Sequence, residues 1–360
     1  MERFDVEVRT DQLDEVRRVP AQARAIGAGE IEVAIDRAAL TANNVTYGAV
    51  GNEVGYWRFF PASEPGWGRI PVWGFANVTA SEHEDIAVGE RLYGFWPMSS
   101  HLILRPDRVG SGGFMDGAEH RRPLPAVYNS YVRCQADPLH VVDAEPWQSL
   151  FRPLFMTALM LEDFFEDNDA FGAKRIILSS ASSKTALGTG FLFRRRGARE
   201  VVGLTSASNE AFVSGAATCD RVLTYDRIGE LDGSNAVYID FAGNSALRRE
   251  IHEHLGPALR FSSAVGYSHL GTLEHGQKLP GPTPEFFFAP TQIAKREQDW
   301  RDSGGVGARF AEAWQAFLPR VSGSLRLENH VGAAAGMAAF QALVRGSVDP
   351  QLGEIVDWSA

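Results

Sequence analysis

The sequence is poor in the residues that advertise the commonest sites. It has two cysteines in 360 residues, Cys134 and Cys219. That excludes a disulfide-built secreted scaffold and a four-cysteine zinc site. It has no basic excess: 35 Lys and Arg stand against 45 Asp and Glu, for a formal charge of −10. A nucleic-acid partner is therefore not expected, since such proteins carry a basic footprint. The longest soft apolar stretch, residues 331–344, is rich in Ala and Gly and interrupted by Gln341, too short to span a bilayer. The opening MERFDVEVRT is charged and lacks the apolar core of a secretory signal. With a pI of 5.4, a cytoplasmic protein without a membrane partner is the expectation. Two enzyme signatures are also missing, G-x-S-x-G for a nucleophile elbow and G-x-x-x-x-G-K-S/T for a phosphate loop.

What is present is ordinary globular composition, 44% hydrophobic and 22% charged, at a length that suits two domains. FDVEVR (4–9) and EIEVAIDR (30–37) alternate apolar and polar residues and predict strands. Residues 39–51 read as a turn followed by a short helix or loop. Residues 57–81 are dense in aromatics, Pro and Gly, which favours turns and short strands. Strand character resumes over 89–107, with Gly89 and Gly94 as breaks, and 108–130 reads as a long loop. An irregular β domain is expected over 1–145.

The pattern changes at 146. A helix with an interruption at Pro153 is followed by alternating apolar strands and helical segments. The strands are RIILSSAS (175–182), REVVGLTS (199–206), RVLTYD (221–226), NAVYIDFAG (235–243) and ALRFSSAVG (258–266). Such alternation predicts βαβ units and a parallel sheet. Helices are expected over 305–321 and 323–346, the latter with a polar lead-in, and a last strand at 353–359. Domain limits follow at 1–145, 146–320 and 321–360.

The turn after RIILSS is the sharpest local feature. A dinucleotide fold needs a strand, a tight turn and a helix whose free N–H groups face a pyrophosphate. At the G-x-G-x-x-G/A spacing this chain offers Ala181, Ser183 and Ala186, all small but without glycine. Ser182, Ser183 and Thr185 bring hydroxyls and Lys184 a cation. The same residues read as a capped helix start with Ser as N-cap. The second strand ends in Thr205 and Ser206, followed by Asn209, with no carboxylate to accept from ribose hydroxyls. That favours NADP(H) over NAD, although a polar N-cap cluster would look alike.

These pieces together resemble the medium-chain dehydrogenase/reductase superfamily, nearest its zinc-free quinone-oxidoreductase-like branch, and the DUF2855 family. ALTANNVTYG (39–48) resembles the stretch with Asn-Pro-x-Asp; Asn44 matches that Asn, and Val45 replaces Pro. VWGFANVTASEHEDIAVGERLYGF (72–95) resembles the run ending G-D-x-V-x-G. ASSKTALGTGFLFRRRGA (181–198) aligns with A-S-G-G-V-G…G-A, CDRVLTYD (219–226) with the stretch ending Tyr-Asp, YIDFAGN (238–244) with V-D-x-V-G-G, and GEIVDW (353–358) with the closing G-K-x-V. The resemblance implies an α/β fold, with a Rossmann-type parallel sheet domain plus an irregular β domain of GroES-like type, to which residues 321–360 return.

It also implies an NADP(H)-dependent reductase of an enone, quinone or related small carbonyl compound, without a metal. It carries cofactor contacts onto Ser182, Ser183, Lys184, Thr185, Thr205, Ser206, Asn209, Tyr225, Gly243 and Asn244. Tyr47 and Asn44, and His269 beyond the fifth strand, are the catalytic candidates. A homodimer is implied because the superfamily often pairs its nucleotide domains. A nonenzymatic NADP-binding or redox-sensing protein is the alternative, favoured by the depleted glycine fingerprint. Over 267–303, His275, Lys295 and Arg296 read either as substrate or cofactor contacts or as part of a connector docked by its aromatics.

Overall fold

A computed structural model describes residues 2–265 and 279–359. By their internal contacts the residues divide into two units, Met1–Leu150 with Leu327–Ala360, and Phe151–Arg326. The first unit opens with strands β1 (Phe4–Arg9), β2 (Val16–Pro20) and β3 (Ile31–Leu40), then helix α1 (Ala42–Ala49). Seven strands follow: β4 (Trp67–Gly68), β5 (Pro71–Ser81), β6 (Arg91–Pro97), β7 (His101–Leu104), β8 (Pro106–Gly110), β9 (Gly113–Asp116) and β10 (Ser130–Arg133). Helix α2 (Glu145–Asp167) carries the chain onward without a break, Pro153 included.

The second unit alternates β11 (Arg175–Leu178), α3 (Lys184–Arg196), β12 (Glu200–Thr205), α4 (Glu210–Ala216), β13 (Arg221–Thr224), β14 (Ala236–Asp240), α5 (Ser245–Leu255), β15 (Leu259–Ala264) and β16 (Glu285–Phe286). Helices α6 (Ala289–Asp299) and α7 (Gly305–Ser322) complete it. The chain then forms β17 (Arg326–Val331), α8 (Gly332–Val344) and β18 (Leu352–Asp357). Strand β18 pairs antiparallel with β3, from Glu354 opposite Leu40 to Asp357 opposite Arg37.

The fold class is the expected one: α/β, with a Rossmann-type parallel sheet in one unit and a separate β unit. The parallel sheet runs β13-β12-β11-β14-β15-β16. Its strands are legible because they are short apolar runs buried on both faces, as parallel sheets require; every residue of β11 and of β14 is buried. In the first unit, Phe4, Val6 and Val8 of β1 and Ile31, Val33 and Ile35 of β3 are the inward half of the alternation. They pack with Trp96, Phe340 and Trp358 in one apolar core.

Five local expectations are corrected. Gly94 does not break the strand but sits in the middle of β6. A Cβ there would lie 2.4 Å from the Tyr131 ring, and that ring packs on Trp96 at 4.6 Å. The glycine is a place for an aromatic side chain, not a turn. Residues 108–130 are not one loop; β8 and β9 pair antiparallel and β10 follows. Helix α2 runs through Pro153 without the expected interruption, and the polar lead-in before α8 is an edge strand, β17, as is β2 in the polar link after β1. Both edge strands are exposed or half-buried, so no apolar alternation marks them.

Candidate functional site

The strand order of the parallel sheet reverses between β11 and β14. Loops leaving the C-terminal ends of these two strands diverge, and the crevice between them is where such sheets take ligands. The first loop is Ser179–Ser183, before α3. Its tight turn is closed without glycine: Ser180 adopts the left-handed conformation at φ +45°. The Ser180 N–H donates to the Tyr225 hydroxyl at 3.2 Å, and the Ser183 N–H to the Ser180 carbonyl at 2.8 Å. A non-glycine residue in this region costs about 1–2 kcal/mol. Ser180→Gly is therefore expected to raise the melting temperature by about 2 °C, since glycine's own chain entropy offsets part of the gain. Calorimetry checks this; a lower midpoint would mean the serine side chain holds the turn.

Ser183 is the N-cap of α3, and its hydroxyl accepts from the Ala186 N–H at 3.3 Å. Lys184 and Thr185 form the first helical positions, at the positive end of the helix dipole. Ser182 is buried, and its hydroxyl accepts from the Asn209 amide at 3.3 Å. That contact joins the loops after β11 and β12, so the structure brings together two of the residues read as cofactor contacts. Ser206 hydrogen-bonds Ser208 at 2.9 Å. The Thr205 Oγ1, at the end of β12, is buried without a hydrogen-bond partner. The first carboxylate after it, Glu210, pairs with Arg227 at 3.2 Å.

The second loop, Phe241–Asn244, is set by a buried carboxylate that sequence reading passed over. Asp240 Oδ1 accepts from the Ser179 hydroxyl at 2.9 Å and from the N–H groups of Ala242 and Gly243 at 3.1 and 3.0 Å. Its other oxygen binds Arg248 at 2.7 Å. Ser179 in turn accepts from the N–H of Phe241 at 2.9 Å. One side chain thus ties both loops of the crevice to α5. The sequence signals are an acid ending the apolar run AVYID and the Asp of the stretch that resembles V-D-x-V-G-G. Gly243 is left-handed at φ +64°. Asn244 is the N-cap of α5, its oxygen accepting from Ala246 and Leu247 at 3.0 and 3.1 Å. Burial raises the Tyr225 phenol above the ordinary tyrosine range. Arg227, exposed at the end of β13 and bound to Glu230 at 2.7 Å, is a cation that the sequence reading did not name.

In the first unit, Tyr47 and Asn44 lie on α1 and both are buried. The Asn44 side chain is engaged at both ends. Its oxygen accepts from the Thr41 N–H at 2.7 Å, closing a capping box, and its NH2 donates to the Pro71 carbonyl at 2.7 Å. The Tyr47 hydroxyl accepts from Trp73 Nε1 at 3.2 Å. Its ring stands 4.5 Å from that of Tyr56, whose hydroxyl is 3.0 Å from that of Tyr128. Burial, with Tyr128 alongside, pushes the Tyr47 phenol well above the ordinary tyrosine range.

His269 and His275 lie outside the described residues. Lys295 and Arg296 form part of α6 and are tied to α2. Lys295 meets Asp167 at 2.5 Å, and Arg296 meets Asp163 at 2.6 Å and Asp167 at 2.8 Å. Cys219 is buried, and burial pushes its thiol up to about 12. It packs as a small apolar residue and is no thiolate at neutral pH. Among the described residues no three His, Cys, Asp or Glu side chains are grouped to hold a metal ion, and no helix is long and apolar enough to cross a membrane.

A family model described as "Protein of unknown function (DUF2855)" matches residues 38–349. No curated protein matches the chain by sequence. Solved structures share the fold over its whole length. CurA from Vibrio vulnificus in complex with NADPH matches with a TM-score of 0.63 at 12% identity, covering 99% of both chains. CurK enoyl reductase matches at 0.57 and 15% identity, over 99% of this chain and 100% of its own. The yhdH oxidoreductase from Salmonella enterica in complex with NADP matches at 0.56 and 14% identity, over 99% of both.

Proposed function

The chain belongs to the DUF2855 family, and on that premise we propose that it is an NADP(H)-dependent oxidoreductase acting on an enone, a quinone or a related small carbonyl compound. The observation that carries the reading is the end of β12, next to β11 and the crevice at the β11–β14 reversal, which holds the hydroxyls of Thr205 and Ser206 and no carboxylate. Proteins of the same fold, CurA and yhdH among them, are described with NADPH or NADP bound.

The residues present fit such a cofactor. The turn after β11 closes without its glycines, the α3 N-terminus follows it, and the side chains at 181, 182 and 183 are small. Lys184 and Thr185, with the α3 dipole, would hold the diphosphate. Ser206 and Asn209 would face the ribose and its 2′-phosphate, with the buried Thr205 hydroxyl behind them and Arg227 as countercharge. Tyr225 and Gly243 would border the same crevice. The reduced nicotinamide, when bound, supplies the hydride.

In this reading Tyr47 is a hydrogen-bond donor to a developing oxyanion and never a base, because burial keeps its phenol protonated. Asn44 and Asn244 are positioning residues: one fixes the helix that carries Tyr47, the other fixes α5 beside the crevice. The reading also includes a homodimer.

Titration of the full chain with NADPH and NADH, followed by tryptophan-to-nicotinamide energy transfer, tests the proposal. One NADPH site is expected, with NADH at least about tenfold weaker, a difference of ~1.4 kcal/mol. Turnover with an enone or quinone then follows, and Tyr47→Phe lowers kcat with little change in NADPH affinity. Absence of saturable binding overturns the cofactor assignment. Saturable binding without turnover of any enone, quinone or aldehyde moves the protein to the nonenzymatic NADP-binding reading.

A further inference from the structure

We propose that the second unit holds a separate binding site for a single-ring, weakly polar molecule bearing one hydroxyl or carbonyl, in a phenylalanine-lined cavity between α2, α6 and the β15–β16 edge. The cavity has a volume of about 190 Å3. Its apolar walls are Phe164 of α2, Phe261 of β15, and Phe286, Phe287 and Phe288 along and just beyond β16. Phe164 stands 5.8 Å from Phe261 and 5.6 Å from Phe287, both tilted, so ring edges and faces are available together. Such a wall suits an aromatic or cyclic guest in offset or edge-on contact. The volume lies well below drug-sized pockets and close to the ~150 Å3 at which an apolar cavity takes up benzene.

One buried polar atom makes the site selective; two further polar lining residues, Glu285 and Thr291, are exposed at the mouth. Ser263 is two residues on from Phe261 and lines the same cavity, and it is 1% exposed. Its hydroxyl is buried without a hydrogen-bond partner. Its neighbour Ser262 faces the other side, where His252 Nε2 takes it up at 2.9 Å. An orphaned buried hydroxyl is destabilising unless something meets it. Water fits poorly, since a buried water needs two to four polar partners. Among the described residues, Ser263 supplies the one unpartnered buried polar atom in this wall. A ring carrying one hydroxyl or carbonyl satisfies both the apolar wall and the single hydroxyl. Gln292 at the rim is already engaged, donating to Asp163 at 2.5 Å.

The test is calorimetric titration of the full chain, without nicotinamide, with phenol and with benzene as the matched probe lacking a polar group. Phenol is expected to bind at one site per chain and about tenfold more tightly than benzene. Ser263→Ala should bring the two to equal affinity. Without ligand this variant should melt at the same temperature as the parent or above it, because an orphaned hydroxyl is removed. Thr291→Trp, at the exposed mouth, should abolish both. The proposal is overturned by absence of saturable phenol binding, by binding that Ser263→Ala leaves unchanged, or by a lower melting point for Ser263→Ala. Displacement of phenol by self-association, seen as affinity falling with protein concentration at the mass of two chains, also overturns it. None of these readouts involves NADPH, so failure here leaves the cofactor reading standing, and the reverse.

Discussion

Replacing Arg121 by alanine is expected to destabilise the first unit by about 3–5 kcal/mol, the cost of breaking one partner out of a buried ion pair. The guanidinium is almost wholly buried and uses every face. It donates from Nη1 to Asp116 at 2.8 Å and to the Tyr131 hydroxyl at 2.9 Å, from Nε to Asn129 at 2.9 Å, and from Nη2 to the Tyr128 carbonyl at 2.8 Å. Its Cζ lies 4.9 Å from the centroid of the Phe60 ring. Burial pushes the Tyr131 phenol up to about 12 although Arg121 pulls the other way. Without the arginine, Asp116 Oδ2, the Asn129 oxygen and the Tyr128 carbonyl lose their donors where water does not replace them. Lysine does not restore the fork, since an ammonium cannot span the three directions. For a unit of this size the midpoint should fall by roughly 6–20 °C. Arg227→Ala is the control: its ion pairs to Glu210 and Glu230 are exposed, and such pairs contribute about 0–1 kcal/mol. A calorimetric shift for Arg121→Ala no larger than for Arg227→Ala would mean that the network is not a stabilising element.

Arg121 also marks the limit of what the residues disclose in order. It lies in a stretch rich in glycine and proline, which reads as a loop, and nothing near it announces a buried cation. Its four partners come from β9, from β10 and from the segment between, so the site exists only once those strands pair. The parallel sheet is the opposite case. RIIL, EVVGLT and AVYID are apolar over their length, and each is followed by a helical period, so strand, face and connection are all local properties. Exposed edge strands escape the same reasoning: β2 is VRRVP and β17 is RLENHV, and neither has an apolar face to show.

At the crevice the sequence offers ligand-contact candidates, and it hides the structural bonds that the same side chains make. Ser183 could be read both as a ligand contact and as an N-cap, and it is in fact the N-cap of α3. Asn44, read as a catalytic candidate, closes the capping box of α1, and Asn244, read as a cofactor contact, is the N-cap of α5; their positions just inside or before a helical run carry that signal. Asp240, which ties the two loops together, lies 61 positions from Ser179 and is paired with it only by the adjacency of β11 and β14. The left-handed turn at Ser180 has no sequence sign at all, because glycine is the residue that normally reports it.

Ser206→Asp is expected to invert the cofactor preference. Ser206 follows the last residue of β12 and is half-buried, beside the Ser208 hydroxyl at 2.9 Å. A carboxylate here would accept from ribose hydroxyls, the arrangement that selects NAD(H) in sheets of this order. The same carboxylate would face the 2′-phosphate of NADPH at close range. At an effective dielectric near 20, two like charges 5 Å apart repel by about 3 kcal/mol. Allowing for partial exposure, NADPH affinity should fall about 100-fold, equivalent to ~2.7 kcal/mol. NADH affinity should rise about tenfold from the new ribose contact. Ser206 is the right position because Thr205 is buried, and a carboxylate placed there would cost folding stability before it met any ligand. The repulsion is electrostatic, so raising the ionic strength to 1 M, where the screening length is about 3 Å, should recover part of the NADPH affinity and leave that for NADH nearly unchanged. Fluorescence titrations at two salt concentrations separate the outcomes. Equal loss of both cofactors with a lowered melting point would report a damaged loop. Unchanged affinities would place the cofactor away from the end of β12 and remove the basis on which NADP(H) is assigned to this crevice.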